Sequence, residues 1–357
     1  MRVVIAGGGT GGHLFVGIAL AEALIANDPN TKILFIGTKR EMETTALSEK
    51  KFPLKRIATE GIKARGVLGK IRSVIKIPAG IAQSGFYLSQ FKADMVMGVG
   101  GYSSGPVAIA ALCMGIPIVI HEQNLLPGLT NRLLGRFADR AFVSFPESIR
   151  HFDTKKARLT GNPIRREILA GKAISRNPQR FGVLVVGGSQ GAHRINQVVV
   201  DALPVLNKIP DIFLIHQTGQ KDALWVTEAY RKLGRHDRVQ PFFNDMATAY
   251  GSVDLVVCRA GATTVAEITA MGKAAIFIPF PFAADNHQLL NARSLVGQGA
   301  ADLIPETRLD GHVLANRILH YKEHREKLKT MEEIAKNLGR PDAAQEIVRE
   351  IYKFLGQ

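Results

Sequence analysis

The sequence predicts an α/β fold built from two Rossmann-like domains with parallel sheets. Three observations carry that expectation. The chain is 357 residues long, more than one hydrophobic core ordinarily serves. Short β-rich runs alternate with stretches of helical periodicity from end to end, the pattern of parallel strands wrapped by helices. Each half also opens on an apolar strand that runs straight into glycines: Val3-Val4-Ile5-Ala6-Gly7-Gly8-Gly9 and Val183-Leu184-Val185-Val186-Gly187-Gly188-Ser189.

Taken in order, the first half offers strands at Val3–Ala6, Ile33–Ile36, Met95–Val99, Pro117–Ile120 and Ala141–Val143, each a short apolar run. Helical spacing appears at Gly17–Asn27, Pro106–Met114 and Pro127–Phe137. The second half offers strands at Gly182–Val186, Phe213–His216, Val239–Gln240, Leu255–Cys258 and Ala275–Pro279. Its helices are expected at Ala192–Leu203, Lys221–Leu233, Thr263–Met271 and Asn286–Val296. Asp310–Leu355 reads as helix almost throughout, with a break at Gly339-Arg340-Pro341. Residues 95–120 carry no charge, yet seven glycines and prolines interrupt them: Gly98, Gly100, Gly101, Gly105, Pro106, Gly115 and Pro117. That run reads as strand, loop, helix, strand and not as a membrane span.

Composition narrows the class. Hydrophobic residues at 46% and charged ones at 22% suit a globular protein, and exclude a disordered, fibrous or polytopic membrane chain. The balance is less ordinary, with 46 basic against 31 acidic residues giving +15. Residues 1–165 hold 22 and 11 of these, or +11, which leaves 24 and 20, or +4, for residues 166–357. An anionic partner is implied, and the first half is where it is met. Cys113 and Cys258 lie in different halves inside apolar runs, so both are expected to be buried free thiols of a reducing compartment. Met1–Ala6 enters its glycines as a strand, not as a signal peptide.

Gly7-x-Gly9-x-x-Gly12, between a strand and a helix, has the form of a dinucleotide fingerprint. An NAD site also wants a carboxylate after the second strand, where this chain has Gly37-Thr38-Lys39-Arg40. The two cations leave an NADP-dependent oxidoreductase open. Five glycines in Gly7-Gly8-Gly9-Thr10-Gly11-Gly12 exceed what a turn requires and suit close approach of backbone N–H groups to a phosphate. His13 follows at the mouth of the helix, where an imidazole near its ordinary pKa can take a proton from a hydroxyl nucleophile. Gly187-Gly188-Ser189-Gln190-Gly191-Ala192 is a second phosphate loop. In Cys258-Arg259-Ala260-Gly261-Ala262-Thr263-Thr264-Val265-Ala266-Glu267, a strand ends in a glycine turn and a helix begins. Its N-terminus suits a diphosphate, and Glu267 one turn in can accept from two vicinal ribose hydroxyls. The amides of Asn286 and Gln288 in Asp285-Asn286-His287-Gln288 have the paired donors and acceptors that sugar hydroxyls need.

These motifs together resemble the MurG family. The segments Gly8–His13, Gly100-Gly101-Tyr102-Ser103-Ser104-Gly105-Pro106, His121-Glu122-Gln123-Asn124, Gly161-Asn162-Pro163-Ile164-Arg165, Gly187–Ala192 and Gly261–Glu267 occur in that family's order, from the first residue to the last helix. The resemblance implies a GT-B glycosyltransferase, its two Rossmann-like domains facing across a cleft. Residues 1–163 would form the acceptor- and membrane-facing domain and 164–340 the UDP-GlcNAc-binding domain, with helix 341–357 returning to the first. It implies an inverting transfer of GlcNAc from UDP-GlcNAc to the muramoyl 4-hydroxyl of lipid I (undecaprenyl-pyrophosphoryl-MurNAc-pentapeptide), giving lipid II for peptidoglycan. Another UDP-sugar transferase acting on a lipid acceptor is the alternative within the fold.

Carried over by position, the resemblance places Thr10, Gly11 and Gly12 at the donor and acceptor phosphates and His13 as general base. Asn124 and Arg165 would touch the donor from the N-terminal side. Ser189 would meet its phosphates, and Phe243 would lie against uracil through its backbone. Ala262, Thr263, Thr264, Val265, Ala266 and Glu267 would hold diphosphate and ribose, with Glu267 on the ribose hydroxyls, and Gln288 would hold the GlcNAc hydroxyls. Three positions depart from the family: Val16 in place of proline, Phe243 in place of isoleucine, and His287 where some members have glutamine. No Asp-x-Asp pair occurs in the chain, in keeping with a transferase that needs no metal or cofactor and neutralises leaving UDP with amide dipoles.

Between Glu60 and Asp94 there is no acidic residue, while Lys63, Arg65, Lys70, Arg72, Lys76 and Lys92 all fall there. Apolar residues interleave them over Ile62–Phe91, with Leu68, Ile71 and Ile75 on one helical face. This reads as a patch for an anionic membrane surface, which places the protein peripherally on the cytoplasmic face of the bacterial inner membrane, where a cell-wall synthesis complex is a further possible partner. A nucleic-acid-binding protein is the rival that the charge allows. No RNA or DNA motif supports it, and it leaves three phosphate loops without a purpose.

Overall fold

Strands covered on both faces should be apolar along most of their length, and the inner strands of this chain are, with polar residues confined to their ends. The computed structural model describes residues 1–8, 11–38, 40–59, 67–170, 177–188 and 191–356, and of 67–76 the backbone alone. Two units emerge, Met1–Arg165 with Asp342–Gln357, and Arg166–Pro341.

In the first unit β1 (Arg2–Ala6), β2 (Lys32–Gly37), β3 (Leu54–Arg56), β4 (Met95–Gly98), β5 (Ile118–Glu122), β6 (Arg140–Val143) and β7 (Ala157–Leu159) form one sheet. Its order is β3-β2-β1-β4-β5-β6-β7, with every neighbouring pair parallel. Alternate residues of β1 serve opposite layers. Val3 and Ile5 pack with Leu14, Ile18 and Leu24 of helix Gly11–Asn27, and Val4 and Ala6 pack with Val107 and Ala111 of helix Ser104–Cys113. Helix Ala343–Phe354 completes the first layer by burying Ala344, Ile347, Val348 and Ile351 there. Arg158 with Glu350 (3.7 Å) and Arg140 over the Phe354 ring (4.7 Å) fix its outer face.

The second unit repeats the plan with β8 (Phe181–Val186), β9 (Ile212–Gln217), β10 (Arg238–Gln240), β11 (Leu255–Cys258), β12 (Ala274–Phe277) and β13 (Asp302–Leu303). Their order is β10-β9-β8-β11-β12-β13, again parallel throughout. Phe181, Val183 and Val185 meet Ile195, Val199 and Leu203 of helix His193–Leu206, and Leu314, Ile318 and Met331 from later helices join them.

Several expectations are corrected. The helix sought at 127–137 is only Leu129–Leu134, because Gly128 is extended (φ −63°, ψ 152°). The long C-terminal helix breaks at His324 (φ −109°, ψ 64°) as well as at Gly339, giving Gly311–Glu323 and Arg325–Leu338. No glycine or proline marks that first break. It turns the chain so that Leu328 and Met331 reach the core. Cys113 ends its helix exposed, while Cys258 is buried in β11. The edge strands β3, β7 and β13 and helices Glu41–Glu49 and Met246–Gly251 were not expected, being too short to show a period. Residues 95–120 do form strand, loop, helix and strand. Among the described residues no helix is long and apolar enough to cross a membrane. Helix Val67–Phe91 spans much of the basic stretch, whose side chains at Lys63, Arg65, Lys70, Arg72 and Lys76 lie outside the described residues.

Candidate functional site

In an open parallel sheet the connections leaving two neighbouring strands on opposite sides part at their carboxyl ends, and ligands bind in the crevice so made. In the first unit that point lies between β1 and β4, and in the second between β8 and β11.

At the first point the two glycine turns pack backbone to backbone. Gly101 has φ +83°, and a β-carbon there would stand 2.2 Å from Gly8 O. Gly100, at φ +91°, faces the His13 ring, and a β-carbon on it would lie 2.9 Å from both Cδ2 and Nε2. His13 stands in the first turn of helix Gly11–Asn27. Ser104 Oγ donates to Ala6 O (2.7 Å) and Gly100 O (2.8 Å), tying the two strand ends together. Thr10 lies outside the described residues; Gly11 and Gly12 open the helix.

The end of β5 supplies the third wall. Gln123 Nε2 donates to Val99 O (2.9 Å) and to His121 Nδ1 (3.0 Å), and His121 Nε2 donates to Gly161 O (3.0 Å). That fixes His121 as the neutral Nε2–H tautomer, and burial lowers its pKa to about 4, with His13 pressing the same way. Gln123 Oε1 is buried without a hydrogen-bond partner among the described residues, on the side of Gly100 that His13 also lines. Burial pushes the Glu122 carboxyl upward, opposed by donors from Asn124 N (2.9 Å), Asn131 Nδ2 (2.9 Å), Gly128 N (3.1 Å) and Asn124 Nδ2 (3.3 Å). Asn124, half-buried, is held by that carboxylate. Arg165 lays its guanidinium over Phe15, two residues past His13, at 5.1 Å.

Beyond β2 the structure holds a carboxylate that the sequence motif lacks. Glu43, from helix Glu41–Glu49, accepts from Thr38 N (2.8 Å) and Thr38 Oγ1 (2.9 Å). Both its oxygens are engaged inside the unit, and the group is buried.

In the second unit Gln217, the last residue of β9, spans two loops. Its Nε2 donates to Gly188 O (3.1 Å) and its Oε1 accepts from Phe243 N (2.9 Å). The Phe243 side chain is fully buried under the Arg238 guanidinium, so only its backbone carbonyl is left for a ligand. Ser189 lies outside the described residues. Beside this loop His193 Nδ1 stands 3.0 Å from Asp222 Oδ1 and Oδ2. Burial alone would raise the Asp222 pKa, and donors from Trp225, Asn196 and His193 outweigh it and lower the value. His216, wholly buried between Asn196 Oδ1 (3.0 Å) and Tyr230 OH (3.2 Å), is lowered to about 3 by desolvation.

Helix Ala262–Ala270 starts after Gly261, which has no side chain to cap the first N–H groups, so among the described residues Ala262, Thr263 and Thr264 present an open, positively polarised end. Glu267 is 5% exposed, and its Oε2 accepts from Tyr250 OH at 3.0 Å. Val265 is buried and Ala266 half-buried on the same helix. Gln288 Oε1 accepts from Phe280 N (3.0 Å), which leaves its NH2 donors for a ligand. His287 turns Nδ1 back to donate to Ala284 O (2.7 Å). Asp285 and Asn286 both sit in the left-handed region, at φ +53° and +52°, strain that sets the start of the helix carrying Gln288. Among the described residues no cluster of His, Cys, Asp or Glu has the makings of a metal site.

Gln217 and Tyr250 escaped sequence reasoning, and Gln123 entered it only as part of a motif, without a role. Each acts through a partner that only the fold brings near, and a lone Gln or Tyr at a strand end or in a short helix gives no signal.

The chain matches the glycosyltransferase family 28 N-terminal domain over residues 3–143 and the C-terminal domain of that family over residues 182–347. It is 49% identical, over 98% of its own length and 97% of the relative's, to the UDP-N-acetylglucosamine--N-acetylmuramyl-(pentapeptide) pyrophosphoryl-undecaprenol N-acetylglucosamine transferase of Syntrophus aciditrophicus (strain SB). The protein of the same name from Myxococcus xanthus (strain DK1622) is 46% identical, over 97% and 91%. Among solved structures, MurG of Acinetobacter baumannii aligns with a TM-score of 0.78 at 32% identity, over 99% of each chain. A UDP-GlcNAc 2-epimerase from Neisseria meningitidis, bound to UDP-GlcNAc, aligns at 0.69 and 16% identity over 99% and 100%, a likeness of fold. The chain belongs to glycosyltransferase family 28, and within it to the family of UDP-N-acetylglucosamine--N-acetylmuramyl-(pentapeptide) pyrophosphoryl-undecaprenol N-acetylglucosamine transferases.

Proposed function

We propose that this enzyme transfers GlcNAc from UDP-GlcNAc to the muramoyl 4-hydroxyl of lipid I, yielding lipid II. The observation that carries the reading is the division of chemistry between the two switch points. One holds an imidazole against a glycine turn, and the other holds an uncapped helix N-terminus with a buried carboxylate one turn in. A hydroxyl nucleophile needs the first and a nucleoside diphosphate the second.

In this mechanism His13 removes the proton of the acceptor hydroxyl as its oxygen attacks C1 of GlcNAc from the face opposite UDP. The C1–O bond to the β-phosphate breaks, the anomeric configuration inverts, and the electron pair leaves on the diphosphate. The amides of Ala262, Thr263 and Thr264, with Ser189, take up that charge; fixed dipoles of this kind are worth most where water is excluded. Glu267 accepts from the ribose hydroxyls and the Phe243 carbonyl accepts from uracil N3–H. Gln288 donates to the sugar, and Thr10, Gly11 and Gly12 lie at the phosphates. Val265 and Ala266 add backbone to the diphosphate turn, and Asn124 and Arg165 reach the donor from the first unit.

The same reading makes residues 1–163 the acceptor domain and 164–340 the donor domain, and sets the enzyme peripherally on the cytoplasmic face of the membrane. Support comes from apolar side chains left exposed in the first unit: Phe86, Ile109, Leu112, Leu129 and Leu133 on packed helices, and Phe137 in the turn that follows the last of them. Arg132 and Arg136 lie among them in sequence. A lipid-linked acceptor is met at such a surface.

The deciding assay is transfer of labelled GlcNAc from UDP-GlcNAc to a short-chain lipid I analogue in the presence of EDTA. Disaccharide product is expected. Absence of product with an intact analogue, or product that requires a divalent ion, overturns the reading.

A further inference from the structure

We infer that Tyr250 is a positioning residue for donor selection: its hydroxyl locks the Glu267 carboxylate in the one orientation that grips both vicinal hydroxyls of a ribonucleotide. The inference rests on the proposed ribose role of Glu267 and adds the device that sets that carboxylate's plane.

A glutamate side chain has three rotatable bonds, and the last, which turns the carboxylate plane, has no sharp staggered preference. Accepting two adjacent hydroxyls at once requires that plane to be set beforehand, because each loosened degree of freedom must be frozen when the ligand arrives. Tyr250 OH donates to Glu267 Oε2 at 3.0 Å, and both side chains are buried. The tyrosine itself has little freedom. It is 1% exposed and sits in helix Met246–Gly251. Asp245 caps that helix, accepting from Thr248 N at 2.9 Å and from Thr248 Oγ1 at 2.5 Å. On the strand side Cys258 stands within electrostatic reach of Glu267. Burial pushes its thiol up, so it stays neutral beside the carboxylate. The hydrogen bond therefore runs from a rigid donor to a buried carboxylate oxygen and helps to set the plane of that carboxylate.

The test separates grip on ribose from general stability. Tyr250→Phe removes one buried hydroxyl and keeps the ring. We expect its UDP dissociation constant, measured by calorimetry, to rise about tenfold, as for a hydrogen bond to a charged group. Affinity for 2′-deoxy-UDP, which offers Glu267 no vicinal pair, should change by less than about twofold. The ratio between the two nucleotides thus collapses. In turnover the donor KM rises while kcat at saturating donor holds. In a Glu267→Gln background Tyr250→Phe should add nothing. Tyr230→Phe, which removes the other fully buried tyrosine hydroxyl of this unit, from His216, is the control. It should lower the melting temperature and leave the nucleotide ratio at the wild-type value.

Equal weakening of UDP and 2′-deoxy-UDP in Tyr250→Phe would make the hydroxyl merely structural and overturn the inference. So would wild-type discrimination in Tyr250→Phe while Glu267→Gln is impaired. A Glu267→Gln enzyme that binds UDP like wild type refutes the ribose role instead. If Tyr250→Phe melts before it can be titrated, the Glu267→Gln titration with the two nucleotides decides: retained discrimination there overturns both.

Discussion

The His13 imidazole occupies the space over the Gly100 α-carbon that any side chain at that position would need. A β-carbon there would come within 2.9 Å of the ring. Glycine at 100 is therefore part of how the proposed base is placed, not only a turn residue.

Gly100→Ala should push the ring aside. The φ of +91° adds strain of about 1–2 kcal/mol for an L-residue. Transfer should fall by about 10²-fold, the lower end of what a general base contributes. UDP affinity should change far less, since most of the proposed donor contacts lie in the other unit. Near-normal turnover in a folded variant would show that His13 tolerates displacement and is not the base.

His13→Ala is the direct counterpart. Loss of a general base lowers kcat by about 10²–10⁴-fold with little change in donor KM. A raised donor KM at near-normal kcat would assign His13 to binding. Steady-state kinetics with the soluble lipid I analogue decides between them.

Acid should weaken the second unit before the first. His216 is held neutral, lowered from 6.5 to about 3, so below pH 6.5 the unfolded chain takes up a proton that the folded chain refuses. Stability is fully present above the unfolded value and drains away as pH falls toward the folded one, by roughly 1.4 kcal/mol per pH unit at most. Asp222 acts in the same sense, since its folded pKa is depressed and its contribution is lost as pH falls through that value. In the first unit His121, lowered to about 4, follows the same course. There Glu122 works against it, because its raised carboxyl takes up a proton more readily folded than unfolded. Urea unfolding at pH 7.5 and 5, followed through the lone Trp225 for the second unit, should show the larger loss there. Equal losses in both units would remove the Glu122 offset, and no loss in either would contradict the histidine account.

Charge reversal at Lys70, Arg72 and Lys76 should weaken binding to vesicles containing anionic lipid, at about 1 kcal/mol for each cation near the surface. UDP-GlcNAc affinity should be spared. Replacing Leu133 and Phe137, 54% and 55% exposed, by serine should weaken binding to neutral vesicles too. Unchanged vesicle sedimentation in both variants would remove the membrane surface from the account of the acceptor.

The glycine turns were legible because an apolar strand running into glycines is a local signal, and the parallel topology then puts each such turn at a carboxyl edge. The helix N-terminus at Ala262 was legible to within one residue for the same reason, whereas the helix expected from Gly17 begins at Gly11, inside the glycine turn. Illegible were the pairs. Glu43 reaches Thr38 from a helix with no apolar period, Gln123 braces His121 across a turn, and Tyr250 meets Glu267 from a helix of six residues. Their roles depend on distances that tertiary packing alone sets. The break at His324 belongs here too, since the sequence around it favours unbroken helix.

The return of residues 342–357 to the first unit bears on how the chain is born. A ribosome delivers residues 1–165 first, yet the layer over helix Gly11–Asn27 waits for Ala344, Ile347, Val348 and Ile351. The inserted unit, continuous in sequence, is out and able to close before them. The usual order of synthesis, first domain first, is thereby reversed, and the older half of a nascent molecule carries an open apolar face until residues 344–351 have been made.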